Sequence, residues 1–403
     1  MKNAERIARE LLHEQASLWF INDEFGAKVM VKLTSPVIKE IMKDCRVEFL
    51  FGRDNLQSPA VFHYGLRIYD DAVHYTTVLG TDCMEDQHVS LQSIMNRSYT
   101  YIHFHSELGF CTATAKLIFS TADQLRVLNM LGSTEKLYCG KMDQKVLHSI
   151  DCFVHSIKLE SRNESVYEIE TFAAEAELSE WSVMENYVIG HKQTNHFIIN
   201  DRNEGSVLER EVVTVLDSLF KKNLYLNPQI ARVKGFRELT DIFALNDYGL
   251  FLIETKALGV IDRAGDKTME KKVSGLQKQI SSGIGQIVGA AKKINEGAKL
   301  YDKDFQEIQY KKKKFPHCIV LVSELLAFGD WKQIELEILV AISENSIYLN
   351  IMDLLEFMQY IGHARGSADR LNLMLIERVE EFVKHETIHL KLNVVDEQGK
   401  SEP

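Results

Sequence analysis

Proline is scarce, with five residues in 403, and no Gly/Ser or Gln/Asn tract interrupts the chain. That composition excludes collagen-like, low-complexity and largely disordered proteins. No apolar run approaches the roughly 20 residues a membrane helix needs, and the longest candidate, around Cys318 to Val322, has strand length. No membrane partner is expected. The opening MKNAERIARELLHEQ carries charges through its apolar positions and lacks both the apolar region and the cleavage site of a secretory signal. Six cysteines (Cys45, Cys83, Cys111, Cys139, Cys152 and Cys318) stand far apart without a Cys-x-x-Cys pair. They form neither a disulfide framework nor a zinc ribbon, and a reducing cytoplasm is the expected compartment. The Gly-x-x-x-x-Gly-Lys-[Ser/Thr] loop, the dinucleotide fingerprint and the Gly-x-Ser-x-Gly elbow are all missing, which argues against motor, dinucleotide and serine-hydrolase chemistry.

What is present is a globular composition, 45% apolar and 26% charged, in a chain long enough for two domains. The net charge of −11 counts against nucleic acid as a partner. The average hides a local excess, because residues 260–315 hold 13 Lys/Arg against 7 Asp/Glu, including the run Lys311, Lys312, Lys313 and Lys314. Taken alone, such a run is most simply a solvated helix face and loop.

Residues 1–190 are expected to form an α+β domain. Ile7, Leu11, Leu12, Leu18 and Trp19 fall near helical spacing, predicting a helix over the first 20 residues. Residues 61–79 look like a hairpin broken at Asp70-Asp71, strands are expected at Thr100 to His105 and Ala115 to Phe119, a helix over Ala122 to Leu131, and strand again from Ile150 to Ile169. His103 and His105 share a strand face with Cys111 nearby, but without a diagnostic partner they read as an ordinary exposed strand. A boundary is expected between about 190 and 205, in the polar, turn-prone HKQTNHFIINDRNEG, so that the second domain covers 203–403.

There the order is more legible. Ser206 to Lys222 reads as a helix with Ser206 as N-cap and an apolar stripe of Leu208, Val212, Val215 and Leu219. Three β-like runs follow, near Tyr225 to Val233, Glu238 to Leu245 and Leu250 to Lys256, then a helix over Leu276 to Ile294 and a buried strand over His317 to Ser323. Further helices are predicted over Asn350 to Ile361 and Ala368 to His385.

If the second and third runs form a hairpin closed by residues 246–249, Leu245 sits opposite Leu250 and Asp241 opposite Glu254. Like charges so placed have Cβ atoms about 4.5–5.5 Å apart and destabilise a sheet. Lys256, two residues beyond Glu254, shares its face and supplies one positive charge; the remaining negative charge suits a hard divalent cation. That combination can do phosphodiester chemistry, with the ammonium orienting water or stabilising the transition state. The preceding helix offers Glu209 or Glu211, which flank its apolar stripe at similar angles. On the following helix Gln279, Gly283, Gln286 and Ala290 fall on one side. The string [D/E]-x-K also occurs at Asp143, Glu270 and Asp330, with no strand aspartate to pair with.

Asp241 followed after twelve residues by Glu254-Thr255-Lys256, within this element order, resembles the D…(D/E)xK signature and αβββαβ core of the PD-(D/E)xK nuclease superfamily. The segment from Glu238 to Ala257 is most similar to its NERD and Mrr-like branches. The resemblance covers roughly residues 203–325, and departs from the family's name at Thr240, where proline would stand. It implies an α/β, restriction-endonuclease-like core beside a separate N-terminal α+β domain. It also implies Asp241, Glu254 and Thr255 as the metal-holding residues, Lys256 as a catalytic residue, and Glu209 in preference to Glu211, since Gly205-Ser-Val-Leu-Glu209 matches the family's helix pattern. Gln279, with Gln286 second, is the candidate helix glutamine. The implied protein is a Mg²⁺-dependent endonuclease, with Mn²⁺ able to substitute, acting on DNA through Gln286, Lys292, Lys293 and the Lys311 to Lys314 run, and analogy with the family extends this to defence against foreign DNA. Residues 1–190 would recognise substrate, sense a signal through a regulatory partner or mediate homo-oligomerisation. The alternatives are an inactive nuclease-fold scaffold and an RNA-directed nuclease.

Overall fold

The computed structural model describes residues 6, 7, 10, 11, 14, 16–71, 73–80, 83–158, 169–260, 268–311 and 315–390. The chain is mixed α/β and divides into two compact units, Met1–Asn186 with Ile198–Asn200, and Tyr187–Phe197 with Asp201–Pro403. Among the described residues no helix is long and apolar enough to cross a membrane.

The first unit is built on one eight-stranded sheet. Its strands are Ser17–Asp23 (β1), Gly26–Lys32 (β2), Val47–Asp54 (β3), Val61–Tyr69 (β4), Tyr75–Gly80 (β5), Thr100–His105 (β6), Cys111–Phe119 (β7) and Glu170–Val183 (β8), ordered β1-β2-β6-β7-β8-β3-β4-β5. Only β2 and β6 run parallel. Ser17 Oγ donates to the Leu79 carbonyl at 3.4 Å, drawing the edge strands β1 and β5 together. The helices are Ser35–Ile41 (α1), Glu85–Met95 (α2), Thr121–Leu131 (α3) and Gln144–Ile157 (α4).

Two sequence expectations fail here. Leu18 and Trp19 are not helical: β1 pairs with β2 around a tight turn that needs Gly26 at φ 106°. Residues 150–157 are helix rather than strand, because Val146, Ser149, Cys152, Phe153 and Ile157 bury one helical face and Asp143 caps it, accepting from the Lys145 and Val146 amides. That spacing outweighs the β-branched content. Residues 159–168 of the expected strand lie outside the described residues.

Strands Glu185–Ile189 (β9) and Thr194–Ile198 (β10) pair at the division of the chain, and the second unit continues through helix Glu204–Phe220 (α5). Asn203, not Ser206, is the N-cap, its side chain accepting from the Ser206 amide, so the helix starts two residues early. Short strands Leu224–Leu226 (β11), Gln229–Ala231 (β12) and Phe236–Glu238 (β13) precede Ile242–Leu245 (β14) and Leu250–Lys256 (β15). Next come helix Met269–Asn295 (α6), Leu300–Tyr301 (β16), Glu307–Ile308 (β17), His317–Val322 (β18), helix Lys332–Asn345 (α7), Tyr348–Asp353 (β19), and helices Leu354–Ala364 (α8) and Ala368–His385 (α9).

The principal sheet is ordered β11-β14-β15-β18-β19, with β15, β18 and β19 parallel. Each parallel crossover carries a helix, so both faces are covered and Leu250–Ile253 and His317–Val322 are continuously buried. Leu252, Val320 and Ile351 pack towards α6 and α7. Phe251, Ile253, Ile319 and Leu321 pack towards α5 and α8. The run expected over 225–233 is split, because β12 leaves the principal sheet for a smaller one ordered β13-β12-β16-β17. Residues 350–353, expected as helix, extend the principal sheet as part of β19, and Asp353 then caps α8, accepting from the Glu356 amide.

One buried network ties α9 to this sheet. Arg378 donates to Glu356 at 2.8 and 3.1 Å, to the Ile351 carbonyl at 2.8 Å and to Asn350 Oδ1 at 3.4 Å. Arg378→Met strands the Glu356 carboxylate and is expected to cost about 3–5 kcal/mol in urea denaturation. Adding Glu356→Gln should return part of it; a single variant as stable as wild type would show that the network contributes nothing.

Candidate active site

The four-residue turn Asn246–Gly249 closes the hairpin with Leu245 opposite Leu250, as the alternation predicts. Asn246 builds the turn by accepting from the Tyr248 and Gly249 amides with its side chain, at 2.8 and 2.7 Å. That register carries Asp241, one residue before β14, to the level of Glu254 on β15. Asp241 Oδ2 accepts from the Thr255 amide at 2.6 Å and from its hydroxyl at 2.8 Å. Lys256 Nζ donates to Glu254 Oε1 at 2.8 Å. Thr240 lies beneath, its hydroxyl 2.8 Å from the Ile253 carbonyl and 3.4 Å from Glu254 Oε2. Both bonds would be unavailable to a proline.

Glu209 reaches the same place from α5. The buried face of α5 runs through Leu208, Val212, Leu216 and Phe220 with Val213, rotated from the stripe read in the sequence. Glu209 stands i, i+3, i+4 and i+7 from Val212, Val213 and Leu216, and therefore lies on the face turned to the sheet. Glu211 is buried about 200° further round the helix. Burial first, then the negative charges of Asp241 and Glu254, raise the Glu209 carboxyl, partly offset by Arg210 and by a hydrogen bond from Asn227.

A fourth carboxylate was not anticipated. Glu238, exposed at the end of β13, stands three residues before Asp241 and within range of its charge. Desolvation, then Asp241, Glu209 and Glu254, push its carboxyl up to about 7. Glu254 is likewise raised, by burial first and then Asp241, against the pull of Lys256. The available signal was the acidic pair Glu238 and Asp241 flanking Leu239-Thr240. Its meaning depends on the chain passing from the small sheet to the large one between them, where the Leu239 amide bonds to the Pro228 carbonyl.

Gln279 on α6 is also near, its Nε2 donating to the Ala257 carbonyl at 3.1 Å while its buried Oε1 has no partner among the described residues. Helix and sheet approach closely at Gly283, where a Cβ would lie 2.8 Å from Val320 Cγ1 and 3.4 Å from Lys256 Cε. Gly283→Ala is expected to cost about 1–3 kcal/mol by overpacking and to displace Lys256. A thermal melt unchanged from wild type would contradict that contact.

The other predicted contacts are not gathered here. Gln286 faces solvent, within reach of the Ser282 hydroxyl at 3.4 Å. Lys292 and Lys293 lie thirteen or more residues beyond Gln279 on α6, about 20 Å along the axis, and Lys293 pairs with Glu296 at 2.6 Å. Lys311 is exposed beyond β17; Lys312, Lys313 and Lys314 lie outside the described residues. In the first unit, His105 is buried and His103 half-buried, not the exposed strand expected. Cys111 Sγ lies 3.9 Å from His103 Nδ1, and burial above all depresses His105 to about 4.

Four carboxylates thus act on one another, and one of them, Glu254, is paired with the Lys256 ammonium. Two unit charges about 5 Å apart repel by roughly 3 kcal/mol at an effective dielectric near 20, comparable to a raised carboxyl pKa of two units. Among the described residues no three His, Cys, Asp or Glu side chains stand close enough to cage a metal ion. The charges act on one another over a longer range than a shared ligand would require. No protein-family model, curated protein or solved structure matches the chain.

Proposed function

We propose that the second unit is a divalent-metal-dependent nuclease of the PD-(D/E)xK kind, hydrolysing DNA phosphodiester bonds, with Mg²⁺ as cofactor and Mn²⁺ as a substitute. One observation carries the reading: at one end of the β14–β15 hairpin Asp241 is held by the Thr255 amide and hydroxyl and the adjacent Glu254 by Lys256, and the carboxylate charge gathered there raises the proton affinity of Glu209, Glu238 and Glu254. The donor set fits a hard cation, because Mg²⁺ is commonly held by one or two carboxylates and completed by water and substrate phosphate. When bound, the ion supplies Lewis-acid polarisation of the phosphate and a water of lowered pKa. Asp241 and Glu254 would hold it, and Thr255, with amide and hydroxyl both on Asp241, orients that carboxylate. Lys256 Nζ carries positive charge beside the reacting phosphate and stabilises negative charge developing in the transition state. Glu238, titrating near neutrality, exchanges a proton at the site. The helix, three-strand, helix, strand order of α5, β11, β14, β15, α6 and β18, with β14 and β15 antiparallel and β15 and β18 parallel, supports the same reading.

A scaffold without catalysis has one observation in its favour, that Lys256 and Thr255 already satisfy part of the carboxylate charge. Incubation of the full chain with supercoiled plasmid and with single-stranded DNA, in Mg²⁺, Mn²⁺ or EDTA and beside Lys256→Ala, separates the two. Metal-dependent cutting lost in the variant establishes the nuclease, whereas no cutting by wild type in any condition returns the scaffold.

A further inference from the structure

The hairpin β12–β13 carries the run Arg232-Val-Lys-Gly-Phe-Arg237 immediately before Glu238. Its turn is closed by the Arg232 amide on the Gly235 carbonyl at 2.9 Å, with Gly235 at φ 77°. Val233 at the tip is fully exposed, and Phe236 is 46% exposed. Phe236 does not stand alone, since its ring lies 5.2 Å from Tyr301 and 4.9 Å from Phe305, which is itself 57% exposed. Phe305 is held out at φ 57°, a conformation bulky side chains rarely adopt. Its amide donates to the Asp302 carbonyl at 3.0 Å, and the Asp302 side chain accepts from the Asp304 and Gln306 amides. An aromatic cluster that could have folded inward is presented to solvent.

The surrounding charge identifies what would cover it. Arg232 and Lys234 are exposed and Arg237 half-buried, and among the described residues none of the three has an ion-pair partner. The Phe305 loop adds Lys303 beside Asp302, Asp304 and Glu307, so the positive charge lies on the hairpin side of the rings. That combination fits a polyanion whose charged groups alternate with flat apolar ones, which is the chemistry of an unpaired nucleic-acid strand. A stacked duplex keeps its base faces covered and leaves the rings nothing to contact.

Strand geometry ties this surface to the carboxylates. Phe236 and Glu238 are two residues apart on β13 and share a face, about 7 Å along the strand. Glu238 in turn stands only three residues before Asp241, at the point where the chain leaves β13 for β14. We infer that β12–β13 is a single-strand platform: unpaired bases stack on Phe236 and Phe305, Arg232, Lys234 and Arg237 take the phosphates, and the strand is led over Glu238 to the candidate active site. This inference rests on the nuclease reading and names its substrate as single-stranded DNA, or a frayed or splayed end.

The test is fluorescence anisotropy of a short labelled oligonucleotide of mixed sequence with the full chain in EDTA, as single strand and as blunt duplex, with cleavage in Mg²⁺ measured in parallel. The wild type should bind the single strand more tightly than the duplex. Phe236→Ala with Phe305→Ala should weaken single-strand binding at least about tenfold, and Phe236→Trp should preserve it. Arg232→Ala, Lys234→Ala and Arg237→Ala together should reduce the slope of log affinity against log salt by about 2. All these side chains lie at the surface, and a thermal melt checks that the variants are folded. Equal duplex binding by wild type, or unchanged binding by the ring-deleted variant, overturns the platform even if the protein cuts DNA. Binding that depends on the rings in a protein that never cuts leaves the platform standing and removes the nuclease.

Discussion

Asp241→Asn is expected to abolish metal-dependent cleavage while making the metal-free protein more stable. The amide keeps an acceptor oxygen for the Thr255 amide and hydroxyl, so the local geometry survives. It removes the charge that raises Glu209, Glu238 and Glu254 together. Like charges opposed across a sheet cost up to about 1 kcal/mol, which corresponds to a gain of about 2–4 °C in melting temperature for a unit of this size. Lys256→Ala should lose activity by about 10²–10³-fold or more, and its stability should move the other way. Glu254 is 4% exposed, and without the ammonium its carboxylate is left unpaired; breaking a buried pair in this manner costs about 3 kcal/mol or more. Two variants inactive in the same assay but shifted oppositely in a thermal melt would mark a site whose charge is kept for function. If both destabilise equally, the cluster is a structural ion-pair ladder.

Divalent cations should stabilise the protein more at about pH 8 than at about pH 5.5. In the folded protein Glu238 keeps its proton up to about 7, whereas the unfolded chain releases it near the ordinary glutamate value of 4.5. Between those values the folded state binds more protons than the unfolded one, so stability falls as pH rises through the window. Glu209 and Glu254, also raised, act in the same direction. A cation competes with those protons, so its effect grows once they have left. Melting temperatures measured across this range with EDTA, Mg²⁺ and Ca²⁺ read the difference directly, and Glu238→Gln should flatten the metal-free curve. A Mg²⁺ shift independent of pH, or none at all, would count against a cation among these carboxylates.

Sequence reasoning was most reliable where the determining interactions are local. The turn at Asn246–Gly249 sets the β14–β15 register, which brings Asp241 to the end of β15, where it accepts from Thr255, and alternation puts Lys256 on the face of Glu254. The helix over Ala368–His385 was likewise legible from its apolar spacing, and Ser367 caps it. Expectations failed where partners distant in sequence outvote propensity. Asn350–Asp353 is strand because Ile319–Val322 offers an open edge for pairing, although the residues continue smoothly into a helical pattern. The β12–β13 hairpin, a three-residue strand pairing, is too short to stand out in the sequence.

The chain's local order therefore sufficed for the hairpin that carries Asp241 and Glu254 and for the lysine bonded to Glu254, because turn chemistry and strand alternation act over a few residues. Which further groups join them was decided by packing. The rotation of α5 against the sheet selects Glu209 over Glu211, the passage from the small sheet to the large one brings in Glu238, and the missing side chain at Gly283 lets α6 close on Lys256. Each depends on how surfaces distant in sequence bury one another, a long-range constraint that no window of residues contains.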